Sequence, residues 1–321
     1  MEAEETGEYE NEIERGGEVA LEQFWIQKSF GRAFNIRAGH QVVPVGMTNR
    51  HHLPNEFFTV YRPEGENTIL PCTWHETSIE VWGRIGDWRY EAMFLPGLDS
   101  DRFGSQGFIH DGAGSPYEFK IANSYAGAFR LENYTINNLT LSLSGYFGSS
   151  FSNSLTKNSK YKGHHGEVII GAFDFLYKSH NFIARGNFDW AHLNDSKQIT
   201  EFNRGSMSTS SPSPKTAVAS DAVAAGCEVG YDVFALMKNP ALSKQKLWVF
   251  GHYEYYDSMA KTAGGIMDYD WCGKHFMAVG INYYPIREIA IKAEYSKRFF
   301  SSPYNNEPAL SIGITYAGFF L

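Results

Sequence analysis

From Leu310 to Tyr316 large apolar residues alternate strictly with small or polar ones. That is the period of two expected of a strand with one greasy face and one polar face. The stretch runs on toward the aromatic pair Phe319 and Phe320. The same alternation recurs along the chain and predicts strands near 20–28, 34–45, 76–84, 87–96, 121–132, 139–149, 166–177, 181–192, 223–236, 245–257, 275–284, 287–297 and 308–320. Short connections at Ser29–Arg32, Ile85–Gly86, Asn133–Asn138, Lys178–His180, Lys238–Lys244 and Pro285–Arg287 alternate with long ones at 46–75, 97–120, 150–165, 193–222, 258–274 and 298–307.

Sorting of short turns to one end and long loops to the other is the asymmetry of an antiparallel β-barrel of the outer-membrane type. An all-β transmembrane barrel is therefore the expected fold, with one domain over 20–321 preceded by an acidic segment over 1–19. About thirteen strands are visible, whereas single-chain bacterial barrels have even numbers. The expectation is an N-terminally truncated barrel of fourteen or sixteen strands. The opening Met1-Glu-Ala-Glu-Glu lacks the basic start and apolar run of a secretory signal, consistent with a processed or shortened N-terminus. The Ser- and Pro-rich stretch Ser206–Pro214 is expected to be a mobile loop.

Composition agrees. Of 321 residues 43% are apolar and 16% aromatic, with 24 Phe and 19 Tyr, as aromatic girdles at two membrane interfaces require. Mean hydropathy is -0.35, and no run of about 18 apolar residues appears, which excludes a helical membrane protein. A net charge of -8 argues against nucleic acid as a partner.

Alternation assigns faces. Phe34, Ile36 and Ala38 oppose Asn35, Arg37, Gly39 and Gln41. Leu139, Leu141, Leu143, Gly145 and Phe147 oppose Thr140, Ser142, Ser144 and Tyr146. Phe182, Ala184, Gly186, Phe188 and Trp190 oppose Arg185, Asn187, Asp189 and Ala191. Ile289, Ile291, Ala293 and Tyr295 oppose Lys292, Glu294 and Ser296. Arg or Lys on a lipid face costs roughly 2–4 kcal/mol at the midplane, so the charged face must be the inner one. Arg37, Arg84, Arg89, Arg130, Arg185 and Lys292 then share a lumen with Glu76, Glu80, Glu91, Glu132, Asp174, Asp189, Glu228, Asp232, Glu254 and Glu294. Rings of side-chain charge select ions by sign. Four of the arginines fall on the early strands, which predicts a basic wall facing an acidic one and a transverse field between them.

Segment 46–75 carries Phe57, Phe58, Val60, Tyr61, Ile69, Leu70 and Trp74, too apolar for a solvated loop. It is expected to fold into the lumen as a constriction, with Arg50, Arg62, Glu64 and Glu66 lining the eyelet. Packing against neighbouring loops or a sister subunit is the alternative.

The run Arg37-Ala-Gly-His-Gln-Val-Val-Pro-Val-Gly46, followed by a long loop and then Glu76-Thr-Ser-Ile-Glu-Val-Trp-Gly83 and Gly86-Asp-Trp-Arg-Tyr-Glu91, resembles the phosphate-selective porin O/P family. There a strand reading roughly Arg-x-Gly-x-x-x-x-Pro-x-Gly leads into an inward-folded loop. The likeness covers most of the chain in rhythm and 34–97 in motif. It implies a homotrimer of sixteen-stranded barrels in the outer membrane of a Gram-negative bacterium, passing small hydrophilic solutes or anions. It also implies an arginine ladder, for which Arg37, Arg84, Arg89 and Arg130 stand in, and a lysine cluster that is not evident here.

Other chemistry is weaker. His51-His52, His164-His165, and Cys72 with His75 are histidine or cysteine pairs without a second pair at ligand spacing, so no metal or other cofactor is implied. Cys72, Cys227 and Cys272 are odd in number; a Cys72–Cys272 bond or independent thiols both remain open. No Gly-x-Ser-x-Gly elbow is present, and Asp189 and His192 with nearby serines make too loose a set for a triad. A barrel hydrolase and a non-conducting structural or adhesin barrel stand as the alternatives to a channel.

Overall fold

The computed structural model describes residues 2–4, 18–20, 23–113, 122–151, 163–206, 216–237, 242, 244–300 and 306–317. Two three-residue strands, β1 (Glu2–Glu4) and β2 (Glu18–Ala20), pair antiparallel with each other. The other strands are β3 (Phe24–Ser29), β4 (Asn35–Val42), β5 (His75–Ile85), β6 (Trp88–Pro96), β7 (Tyr125–Asn133), β8 (Leu139–Ser149), β9 (Glu167–Ser179), β10 (Phe182–Leu193), β11 (Asp221–Asp232), β12 (Lys246–Lys261), β13 (Gly273–Ile286), β14 (Ile289–Phe300) and β15 (Glu307–Tyr316). They form one 13-stranded sheet in strict chain order, each strand antiparallel to its neighbours. Among the described residues β3 and β15 are its two edges and are not paired with one another.

The alternation works inside out. Ile79, Phe94, Phe129, Leu143, Phe147, Phe188, Val279 and Ile281 are exposed, while Glu80, Ser142, Ser144, Asp174, Asp189, Asn282 and Lys292 on the other face are buried. Folding in water drives the opposite arrangement, because large apolar surface is what water expels. Register keeps the order across strands: Leu143 pairs with Phe173 and Ser142 with Asp174, so each outward row is apolar from strand to strand. Two-residue turns make the tightest joints. The β5–β6 hairpin turns at Gly86 with φ of 58°, a left-handed value that favours glycine.

All thirteen expected strands are present, most within a few residues of the expected ends. The expected strand 223–236 stops earlier, at Asp232. There the Asp232 carboxylate accepts from the backbone N–H of Phe234 (3.2 Å) and Leu247 (3.1 Å) and turns the chain into a 3-10 turn, Val233–Leu236. Strand β13 runs through the expected turn at Pro285 to Ile286, with a register shift between Tyr283 and Ile286, as the missing proline N–H requires. The short-versus-long rule also breaks at one connection: 233–245 outlasts both 262–272 and 301–306. Among the described residues the long connections hold three α-helices that alternation did not foresee, α1 (Met47–Arg50), α2 (Glu64–Ile69) and α3 (Ser196–Ser206). No described helix is long and apolar enough to cross a membrane, which says nothing of strands. The expected mobile stretch beyond Ser206 and the terminal Phe319 and Phe320 lie outside the described residues.

The sheet curls, because one segment touches strands far apart in its order. Gly46 donates to Ser144 on β8 (3.1 Å), Phe58 to Glu228 on β11 (3.0 Å), Glu64 to Glu254 on β12 (2.8 Å) and Val60 to Glu294 on β14 (2.8 Å). Only a wall bent around 46–75 brings these side chains to one place.

Candidate functional site

The inner face carries charge in two groups. On β4 to β9 the groups form a chain of ion pairs: Arg37–Glu80 (3.2 Å), Arg89–Glu132 (3.1 Å), Arg89 with Glu91, and Arg130–Glu132 (2.8 Å). Arg130 ends it with a two-pronged grip on Asp174, both bonds 2.9 Å, the geometry for which a guanidinium is built. Tyr134, in the following turn, donates to Glu132 at 2.6 Å; burial and that bond push its hydroxyl pKa up to about 12. Arg84 has its guanidinium over the Tyr134 ring at 4.7 Å. The expected basic wall is therefore a different object. Each of Arg37, Arg89 and Arg130 is matched by carboxylates of its own strand or of a strand one or two places away, which cancels most of a one-signed field.

The second group lies on β10 to β14. Arg185 meets Glu228 at 2.8 Å, and His252 lies 3.3 Å from both Glu228 and Glu254. These carboxylates also hold the backbone of 46–75. Glu254 accepts from Glu64 N–H (2.8 Å) and Gly65 N–H (3.1 Å). The carbonyls go to donors on the wall: Lys292 Nζ donates to Phe57 (2.8 Å), Thr59 (2.9 Å) and Pro54, Asn282 to Phe58 (2.8 Å), and Arg130 to Gly46 (3.1 Å). An irregular segment without a ladder leaves its backbone groups unpaired, and burial makes that costly. Here wall side chains supply the partners.

Apolar contacts complete the seat. Phe58 stacks on Phe250 with centroids 5.5 Å apart and meets Trp248 at 5.3 Å. Gly230 makes room, since a Cβ there would come 2.3 Å from the Phe58 ring. At the base Asn49 donates to the Val43 carbonyl (2.8 Å) and accepts from Trp74 N–H (2.6 Å), closing the segment like a clasp.

The four residues expected at an eyelet are placed differently from one another. Arg50 reaches Glu91 at 3.4 Å and extends the ion-pair chain. Arg62 bonds Thr73 within the segment. Glu64 is gripped by Arg298 (Nε to Oε2, 2.8 Å) and accepts from Tyr256 (2.6 Å). Glu66 lines no opening: 1% exposed, it accepts from the backbone N–H of Met47 (2.9 Å), Thr48 (2.9 Å) and Asn49 (3.2 Å) at the start of α1. Burial raises its pKa to about 7, against the pull of those three donors and aided by the charge of Asp174. Asp189 is fully buried, bonded by Asn187, with no cation at ion-pair distance among the described residues. The three cysteines are free thiols, with the Cys272 Sγ 3.4 Å from the Ser105 carbonyl.

Sequence reasoning missed Arg298, Asn282 and Asn49. The first continues the inward row Lys292, Glu294, Ser296 on β14, and extending that strand would have found it. The two asparagines act by amide bonds to loop carbonyls, which leave no periodic mark.

No known protein family's profile matches the chain. A protein of Aquifex aeolicus (strain VF5), described only as uncharacterized, is 26% identical over 299 residues, which is 92% of this chain and 65% of that protein. The chain thus spans slightly less than two thirds of that relative. Among solved structures the anion-selective porin from Comamonas acidovorans superposes with a TM-score of 0.51 at 9% identity, over 89% of this chain and 75% of the porin. OmpF of Salmonella typhi, in a complex with daunomycin, gives 0.52 at 10% identity, over 89% and 74%. At such identities the likeness is one of fold: this is a porin-like antiparallel β-barrel sheet.

Proposed function

We propose that the chain forms the wall of an outer-membrane channel through which small hydrophilic solutes diffuse, with segment 46–75 as its constriction. The observation that carries this reading is the inverted burial, apolar outside and charged inside, which only hydrocarbon around the sheet rewards. Unpaired strand edges are not tolerated in hydrocarbon, so the reading requires β3 and β15 to be paired in the membrane, with one another or with further strands.

Anion or phosphate preference and a homotrimer belong to the same proposal, supported by the motif at 37–46. Two of its positions have physical reasons here. Gly39 has φ of 137° and lies where a Cβ would come 2.3 Å from the Phe24 carbonyl; Gly46 has φ of 82° and lies where a Cβ would strike the Glu66 carboxylate. The matched charges of the ion-pair chain favour weak rather than strong selectivity. The test is single-channel recording in planar bilayers, comparing the full chain with one lacking part of 50–72. A larger conductance in the deletion is expected, and a reversal potential in a KCl gradient only slightly toward anions. A protein silent in both forms overturns the channel.

A further inference from the structure

A cavity of about 630 Å³ opens beside α2 at the end of the barrel that carries the long connections, a size suited to a small organic molecule. It contains two cations and two carboxylates, and the four are not equivalent. Arg298 holds both carboxylates, Glu64 through Nε (2.9 and 2.8 Å) and Glu307 at 3.3 Å. Glu64 is further occupied by the Tyr256 hydroxyl. Lys274 is left over. Its ammonium sits on the faces of Tyr256 (5.6 Å) and Phe300 (5.5 Å), and among the described residues no carboxylate oxygen lies within ion-pair distance of it. Rings attract a cation without satisfying its N–H donors, so those donors remain available to a ligand. Trp271, braced by Tyr269 at 5.7 Å and 15°, adds a flat apolar face to the same cavity.

We propose that this cavity is a binding station for ring-bearing carboxylates, of which a sugar acid is the type. Lys274 takes the carboxylate, Trp271 packs on the ring, and Gln106 and Thr68, which also line the cavity, face the hydroxyls. Glu64 and Glu307 line the same cavity, paired with Arg298, and oppose a second negative charge, so a monoanion is favoured over a dianion. The station deepens the channel reading by naming a solute class; only its physiological use rests on that reading.

Calorimetric titration of the detergent-refolded full chain with glucuronate, glucose and inorganic phosphate tests it. Glucuronate is expected to bind at least tenfold more tightly than either of the others. Lys274→Gln should lower that affinity at least tenfold and Lys274→Arg should largely retain it. Trp271→Leu should weaken glucuronate severalfold, while Lys246→Gln, whose ammonium lies over Trp248, should leave it unchanged. Equal binding of glucose or phosphate, or an unaltered Lys274→Gln, overturns the station. A chain that conducts without binding glucuronate loses the station alone; one that binds it but is silent in bilayers loses the channel alone.

Discussion

Arg130 is the residue on which the inner face is most centred. It joins Asp174, Glu132 and the Gly46 carbonyl, and so ties two strands, β7 and β9, to the base of the inner segment. Removing one partner of a buried pair leaves the other uncompensated, at about 3–5 kcal/mol. Arg130→Met should therefore lower the unfolding free energy of the refolded protein, read from urea titration, by that order, whereas Arg62→Ala, within the segment, should cost less than about 1 kcal/mol. Glu66 gives a pH signature. Its folded pKa, about 7, lies above the ordinary carboxylate value, so its protonated form is the one the fold prefers. The contribution to seating of 46–75 is full below about pH 4 and is lost as pH rises through 7. Protease cleavage within 46–75 should quicken between pH 5 and 8 in the wild type, and Glu66→Gln should flatten that rise. A wild-type profile without pH dependence would show that Glu66 does not control the seat. Residue by residue, the charges of the inner face were legible because alternation reveals which side chains share a side. Their pairing was not, since Arg130 with Asp174 and Arg185 with Glu228 are decided by register between strands, which a single strand's pattern does not contain.

At the scale of elements, alternation located every strand of the large sheet, because a slip of one residue would move each strand's greasy row to the wrong side. The helices within 46–75 and at Ser196–Ser206 escaped it: α1 and α2 are shorter than two turns and are held by wall and loop groups rather than by an amphipathic stripe of their own. The same fact makes the inner segment separable from the wall. Lys292 and Glu294 are adjacent inward positions of β14 and hold the segment chiefly by its backbone, with the Lys292 ammonium also 4.4 Å from the centre of the Phe57 ring. Lys292→Met with Glu294→Gln should free 54–60 while leaving β14 paired with β13 and β15. The expected readout is faster proteolysis in 50–62 with the far-ultraviolet β-signal unchanged. Gly230→Val, which drives a side chain into the Phe58 ring, should act in the same direction.

At the scale of the molecule, the exposed apolar rows set the solvent. Leu310, Ile312 and Ile314 on β15 are each more than 70% exposed, and every strand from β5 to β14 presents at least one exposed large apolar side chain on the same outer face. Contiguous apolar surface far beyond the few hundred Å² usual for a soluble monomer needs a partner phase. The refolded chain should remain dispersed in detergent and aggregate when detergent is withdrawn, as light scattering will read. A stable, dispersed monomer in plain buffer would overturn the assignment of the outer face to lipid.

The embrace of segment 46–75 by the wall also bears on the order of assembly. Val60 and Glu294 are separated by 234 positions of chain, and the groups that grip the segment from the far side arrive on nearly the last strand. A segment threaded into a finished cylinder would have to shed the solvation of its backbone before meeting any replacement. Wrapping avoids that cost: the early strands and the segment are expected to form first, with each later hairpin closing around them, and pulse-labelled hydrogen exchange in which β14 is protected before 46–75 would reverse that order. The segment that the wall encloses is then also the former on which the wall is made.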